Sequence, residues 1–93
     1  MTRHRVRSVW DALEVSPSEA ANMKLRSELM IRVRDRIAHW DTTQAAAAKR
    51  LSITQPRLND LLRGRIDKFS LDALVELSDK AGLVVRLQIR PAA

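Results

Sequence analysis

Apolar side chains recur at every third or fourth position through most of this chain, a spacing that predicts helices. The longest such stretch follows Ser16-Pro17-Ser18-Glu19, which offers a serine cap, a proline at the first helical position and a glutamate at the third. The apolar positions after this cap are Leu25, Leu29, Val33, Ile37 and Trp40. No glycine or proline interrupts residues 18–40, so we predict one long amphipathic helix from Pro17 to Trp40.

Shorter stretches with the same spacing lie on both sides of this long helix. Before it, an apolar patch within residues 9–13 suits one or two helical turns. After it, the pattern predicts helices over residues 43–51, 55–63 and 71–81. Their expected caps are Asp41 or Thr42, then Thr54, then Ser70, and Gly64 and Gly82 are expected to end the second and third. The chain is therefore predicted to contain five helices.

The period changes near the end of the chain. In residues 83–90, Val85, Leu87 and Ile89 alternate with Val84, Arg86, Gln88 and Arg90, which predicts a half-buried strand. A single strand has unpaired backbone groups along its edges, so we expect it to pair with its copy in a second chain. The predicted fold is mainly α, with five helices, a long N-terminal helix among them, and one C-terminal β-strand that pairs across a dimer.

Length and charge narrow the class of protein. The 93 residues suit a single core, and we divide them into a basic tail, 1–8, and one domain, 9–93. The net charge is +6, and half of it belongs to residues 41–65, where five basic residues face two acidic ones. Such a local excess of positive charge makes a polyanion the first partner to expect.

Several other classes fit the sequence poorly. Because the chain has no cysteine, a disulfide framework and a thiolate site are excluded, and we expect a cytoplasmic protein. No apolar run reaches the roughly 20 residues of a membrane span, so no membrane partner is expected. His4 and His39 are too far apart in the sequence to suggest a metal site, and no acidic pair or phosphate loop suggests catalysis. We therefore predict no enzyme, no cofactor and no metal.

The basic middle of the chain has the layout of a helix-turn-helix, two short helices joined by a tight turn. On its second helix, Leu58, Leu61 and Leu62 share one face, and Pro56, Asn59, Asp60 and Arg63 share the opposite one, with Gln55 and Arg57 at the flanks. Glutamine and asparagine can bond adenine, arginine can bond guanine, and aspartate can accept from cytosine. The alternative is a solvated face on which Asp60 pairs with Arg57 or Arg63.

The run TTQAAAAKRLSITQPRLNDLLRGR resembles the helix-turn-helix of the Cro/CI-type (XRE) repressors, which have a lambda-repressor-like fold. Matching features include Thr43-Gln44, Ala48, Leu51, the turn Ser52-Ile53, Thr54-Gln55, Leu58 and Gly64. The flanking runs AANMKLRSELM and DLLRGRIDKFSLDALVELSDKAGLVVRLQIRP resemble the small HigA-like antitoxin branch. The resemblance extends from about Ala12 to Pro91.

The resemblance implies roles for particular residues. Gln44 would contact a phosphate and brace Gln55, and Arg63 and Arg65 would point toward phosphates. The residues expected to face the groove or its walls are Thr54, Gln55, Arg57 and Asn59. Ser52 stands where the family usually has glycine, which predicts a left-handed or adjusted turn. Members generally bind as dimers, so we expect an inverted-repeat operator in double-stranded DNA and a homodimer formed through Val85, Leu87 and Ile89.

Two functions remain open for such a protein. It is either a repressor that is also the antitoxin of a HigB-like ribonuclease toxin and regulates its own operon, or a stand-alone XRE-type regulator with no toxin partner. Apolar residues outside the expected core, Met23, Met30, Ile31 and residues 9–13, are candidates for toxin contact. Met23 and Met30 are equally suited to core filling, which we favour.

Overall fold

The computed structural model of the chain describes residues 16–92. In these residues the chain forms four α-helices and one short 3₁₀ turn. They are α1 (Pro17–Ala38), α2 (Gln44–Leu51), α3 (Gln55–Leu62), the 3₁₀ turn Ile66–Lys68 and α4 (Leu71–Lys80). The prediction of a mainly α protein is confirmed, and the four helices lie close to their predicted positions.

The predicted five helices and C-terminal strand are wrong. Within residues 16–92 there are four α-helices and no strand, and residues 83–90 have no regular secondary structure. The expected short helix at residues 9–13 lies outside the described residues. Alternation of apolar and polar side chains is only half of what a strand needs, because its backbone must also pair with a neighbouring strand. No described segment of the same chain offers that neighbour.

Each α-helix begins at a serine or threonine whose hydroxyl accepts a backbone N–H three residues later. At α1, Ser16 and Glu19 form the predicted capping box, with both hydrogen bonds at 3.1 Å. Hydrogen bonds with Ser16 lower the pKa of Glu19 below its ordinary value. Thr54 and Ser70 cap α3 and α4 as predicted, but Thr43, rather than Asp41 or Thr42, caps α2. These local bonds fix where each helix begins.

The core lies between α1 and the other three helices. Met30, Val33 and Ile37 supply the buried face of α1, while Leu29 and Trp40 pack at its margin. Leu25, which the spacing assigns to the same apolar stripe, is half exposed. The other buried hydrophobic residues are Ala47, Ala48, Leu51, Leu58, Leu61, Phe69, Leu74, Leu77 and Ala81. α1 packs mainly against α4 and also contacts α3 and the 3₁₀ turn, while α2 packs on α3 and α4.

Arginines of α1 hold the chain segments that follow α3 and α4. Arg26 donates to the carbonyls of Ile66 and Phe69, each at 3.2 Å, and Arg36 donates to the carbonyl of Ala81 at 3.1 Å. Ala81 is the C-cap of α4, so Arg36 also places a positive charge at the negative end of that helix. Part of the basic excess of this chain thus stabilises its own fold.

Candidate nucleic-acid interface

α2 and α3 form a helix-turn-helix joined by three residues, Ser52 to Thr54. Ser52 ends α2 in the left-handed conformation, with φ 58° and ψ 41°, as its place in the turn predicted. The N–H of Ile53 donates to the carbonyl of Ala48 at 2.9 Å, which closes the turn. Ala47 and Ala48 are buried and have small side chains, so α3 can pack close to the backbone of α2. The turn therefore orients α3 across α2 without help from glycine.

α3 has one buried face and one exposed face. Leu58 and Leu61 have no exposed area and anchor the helix from behind. On the outward side, the exposed residues are Gln55, Pro56, Asn59 and Arg63. Thr54 and Gln44, at the starts of α3 and α2, are exposed as well. This outward face offers the amide and guanidinium groups that bond base edges in the major groove. The contact of Gln44 with Gln55 that the resemblance implies stays a prediction.

Arg57 does not lie on this outward face. Its guanidinium lies 4.1 Å from the centre of the Phe69 ring, and Nη1 donates to the carbonyl of Lys68 at 2.8 Å. The ring beneath it is buried, with 1% of its surface exposed. The structure thus places Arg57 between α3 and the segment that precedes α4, where it is half-buried.

Asp60 is also turned toward the segment after α3. Its carboxylate forms an ion pair with Arg65 at 3.5 Å, and its carbonyl accepts from the N–H of Arg65 at 3.1 Å. The partner is therefore Arg65, not Arg57 or Arg63 as the solvated-face alternative expected. Exposed side chains in such a pair contribute little to stability, but the carboxylate offsets part of the positive charge of Arg65. Arg63, at the C-cap of α3, is exposed.

The bend between Asp60 and Arg65 is made at Gly64, in a conformation that favours glycine. Gly64 has φ +74°, and a Cβ at this position would lie 3.1 Å from Nη1 of Arg34. The chain turns here from α3 toward the 3₁₀ turn, which brings Arg65 back beside Asp60.

On the other side of the motif, an arginine also covers an aromatic ring. The guanidinium of Arg50, in the last turn of α2, lies 3.9 Å from the centre of the Trp40 ring. Trp40 is partly buried against the core, so this stack ties α2 to the end of α1. Two of the five basic residues that made the middle of the chain positive, Arg50 and Arg57, are thus engaged with aromatic side chains.

Two residues that hold the segment after α3, Phe69 and Arg26, were not predicted from the sequence. Phe69 follows a mainly polar link, residues 65–68, and Arg26 belongs to α1, outside the motif. The signal for Arg26 is its register, since it precedes buried Met30 by four positions and Val33 by seven. A charged residue on the buried face of a helix requires a partner, and its partners are the carbonyls of Ile66 and Phe69.

The residues predicted to form a dimer are exposed in the single chain. Val85 is 48% exposed, and Leu87 and Ile89 are 82% and 81% exposed. Of the residues considered for toxin contact, Met30 belongs to the core, as favoured, and Met23 is half-buried. Ile31 is 54% exposed and lines an open groove of about 350 Å³ together with Arg34, Asp35, Ala38 and Leu62.

No helix within the described part of the chain combines the length and apolar character that crossing a membrane requires. In the same residues, no three histidine or acidic side chains are grouped closely enough to hold a metal ion.

Two short helices joined by a tight turn, with the second anchored by leucines and polar on its outward side, define the helix-turn-helix class of DNA-binding domains. A family described as "Helix-turn-helix domain" matches residues 12–90, and the chain belongs to this family. The match is consistent with the XRE-type motif. No curated protein sequence matches the chain.

Proposed function

We propose that this protein is a sequence-specific transcriptional repressor that inserts α3 into the major groove of double-stranded DNA. The observation that carries the proposal is the outward face of α3, where Gln55 and Asn59 are exposed on a helix whose Leu58 and Leu61 have no exposed area. Such a helix presents amide groups at a fixed position, which base reading requires. Arg63 and Arg65 follow directly, and we expect them to contact phosphates on the groove wall.

The functional unit of the proposal is a homodimer on an inverted repeat. One eight-residue α3 reaches only a few base pairs, whereas two copies about 34 Å apart reach successive major grooves on one side of the duplex. Val85, Leu87 and Ile89 are apolar and exposed in the single chain, so a second copy that covers them would remove apolar surface from water.

The first test is selection of a binding site by the full-length protein from random-sequence duplexes, followed by footprinting. We expect an inverted repeat with two protected half-sites and two chains per duplex. Gln55→Ala and Asn59→Ala are each expected to weaken binding to the selected duplex by roughly 1–3 kcal/mol. Val75→Ala, which shortens an exposed side chain of α4 outside the helix-turn-helix and outside residues 83–90, is the control and is expected to bind as the wild type does. A single protected half-site with one chain bound would contradict the dimer.

The phosphate contacts are tested by the salt dependence of binding. Arg63→Gln is expected to reduce the slope of log K against log salt by about one. Lys24→Gln removes the same charge from an exposed position of α1 and is expected to leave the slope unchanged. Equal slopes in the two variants would exclude Arg63 from the interface.

We further propose that the repressor is the antitoxin of a HigB-like ribonuclease toxin. The supporting observation is the exposed Ile31 in a groove that Arg34, Asp35, Ala38 and Leu62 also line, and none of these five residues is among those we expect to contact DNA. Co-expression with the product of a short reading frame next to the gene tests this. A complex that Ile31→Asp disrupts, while DNA binding persists, supports the antitoxin. Separate purification of the two products supports the alternative, a stand-alone regulator.

A further inference from the structure

The segment between α3 and α4, residues 63–70, is held by two arginines from different helices. Arg26 of α1 donates to the carbonyls of Ile66 and Phe69, and Arg57 of α3 donates to the carbonyl of Lys68. We refer to residues 63–70 as the connecting segment. Three of its carbonyls are therefore bonded to guanidinium groups, and the Phe69 side chain fixes it to the core.

Arg57 is the only one of these two arginines that belongs to the helix proposed to read DNA. Its guanidinium covers the Phe69 ring at 4.1 Å while it bonds Lys68 at 2.8 Å. To reach a base edge, the side chain would have to leave both partners, and the ring would lose the group that covers it. The side chains that need no such rearrangement are those of Gln55, Asn59 and Arg63, which are exposed.

The position of the connecting segment matters for DNA binding. It contains Arg63 and Arg65, the two residues proposed to contact phosphates, and Asp60 of α3 pairs with Arg65 across the bend at Gly64. If the segment shifts relative to α3, the base contacts and the phosphate contacts no longer fit the same duplex. A contact that fixes the position of the connecting segment relative to α3 therefore affects binding to every DNA sequence by the same factor.

We propose that Arg57 is a positioning residue for DNA recognition, which holds the connecting segment against α3 through Phe69 and Lys68 and does not read a base. The proposal rests on the proposed DNA-binding function. It assigns base reading to Gln55 and Asn59, and it gives Arg57 a role that the sequence, which placed it at the groove, did not predict.

The test in DNA uses the selected duplex and a panel of its single-base variants, with the full-length protein. Arg57→Gln is expected to weaken binding to every duplex of the panel by a common factor, so that preferences among the duplexes stay the same within about twofold. Asn59→Ala, the contrasting variant, is expected to lose about fivefold or more of its preference at one base pair in each half-site. Loss of preference at a single base pair in Arg57→Gln would overturn the proposal, because that is the result for a base-reading arginine.

A uniform loss would also follow if Arg57 bound a phosphate directly, and Arg57→Lys separates these two cases. Lysine keeps the charge but lacks the planar guanidinium that lies flat on a ring and bonds a carbonyl at its edge. The proposal expects Arg57→Lys to bind nearly as weakly as Arg57→Gln. Recovery of most of the wild-type affinity by lysine would show a phosphate contact and would overturn the proposal.

Amide hydrogen exchange in the absence of DNA tests whether Arg57 holds the connecting segment against α3. Amide hydrogen exchange at residues 65–69 is expected to quicken in Arg57→Gln and to stay at the wild-type rate in Asn59→Ala. Unchanged exchange in Arg57→Gln would overturn the proposal. This arm also separates the two claims of function, since a wild-type protein that selects no duplex would overturn the DNA-binding proposal, whatever the exchange at residues 65–69 shows.

Discussion

Two amphipathic regions of this protein have very different surroundings. In the helix-turn-helix, residues 44–62, Leu58 and Leu61 have no exposed area. In the C-terminal segment, residues 83–90, Leu87 and Ile89 are 82% and 81% exposed. Apolar side chains recur with the helical period in the first region and at every second position in the second, but only the first buries its apolar face against other helices of its own chain. Amphipathic character thus shows that a region needs a partner, and the tertiary structure shows whether the chain supplies it.

The largest effect that tests this comparison is on the stability of the single chain. Leu58→Ala is expected to lower the free energy of unfolding by about 2–5 kcal/mol, because it leaves a cavity beneath α3. Leu87→Ala is expected to change it by less than about 0.5 kcal/mol, because the side chain is already in water. Urea unfolding at low protein concentration measures both. A large loss in Leu87→Ala under these conditions would show that the C-terminal segment is packed.

The next effect concerns self-association. If a second copy covers the C-terminal segment, Leu87→Asp is expected to weaken the dimer by about 1.5–3 kcal/mol, at least a tenfold increase in its dissociation constant. Sedimentation over a range of concentrations measures this. Gln88→Asp introduces the same charge at the neighbouring position, whose side chain is polar already, and is expected to have the smaller effect. Equal association of wild type and Leu87→Asp would exclude this segment from the interface.

A smaller effect is expected in the turn that joins α2 and α3. Ser52 has φ 58°, a conformation that costs other residues more than glycine, so Ser52→Gly is expected to raise the free energy of unfolding by about 0.5–1 kcal/mol. Ser27→Gly, inside α1, is the control and is expected to lower it by roughly 0.5 kcal/mol. Thermal unfolding of both variants measures the difference. Destabilisation by Ser52→Gly would mean that the serine side chain makes a contact that the turn needs.

The smallest effect depends on pH and arises at the start of α1. Hydrogen bonds with Ser16 hold the pKa of Glu19 below its ordinary value of 4.5, so the folded chain favours the charged form. Its contribution to stability is complete above pH 4.5 and is lost as pH falls through the lowered folded-state pKa. The stability difference between wild type and Glu19→Gln is therefore expected to shrink as pH falls below 4.5. A difference independent of pH would contradict this.

The predictable parts of the fold and site are those with local causes. Ser16, Thr54 and Ser70 cap their helices through bonds that span three residues, and the resemblance to a family with glycine at its position predicted the left-handed Ser52. The exposed Asn59 follows from the helical period, because three leucines define the opposite face, whereas of Gln55 and Arg57, both predicted at the flanks, only Gln55 is exposed. The predicted strand at residues 83–90 is wrong because alternating side chains are a local pattern, whereas the hydrogen bonds of a strand require a second extended segment.

The sequence by itself determined the positions of the four described helices, the caps of α1, α3 and α4, and the concentration of positive charge in the middle of the chain. Only the tertiary structure decided how that charge is used. Arg57 lies on Phe69, twelve positions away, and Arg26 bonds carbonyls 40 and 43 positions away. A long, flexible arginine side chain can reach several partners, and the sequence does not distinguish among them. The choice among them depends on which carbonyls and rings the packed helices bring within reach.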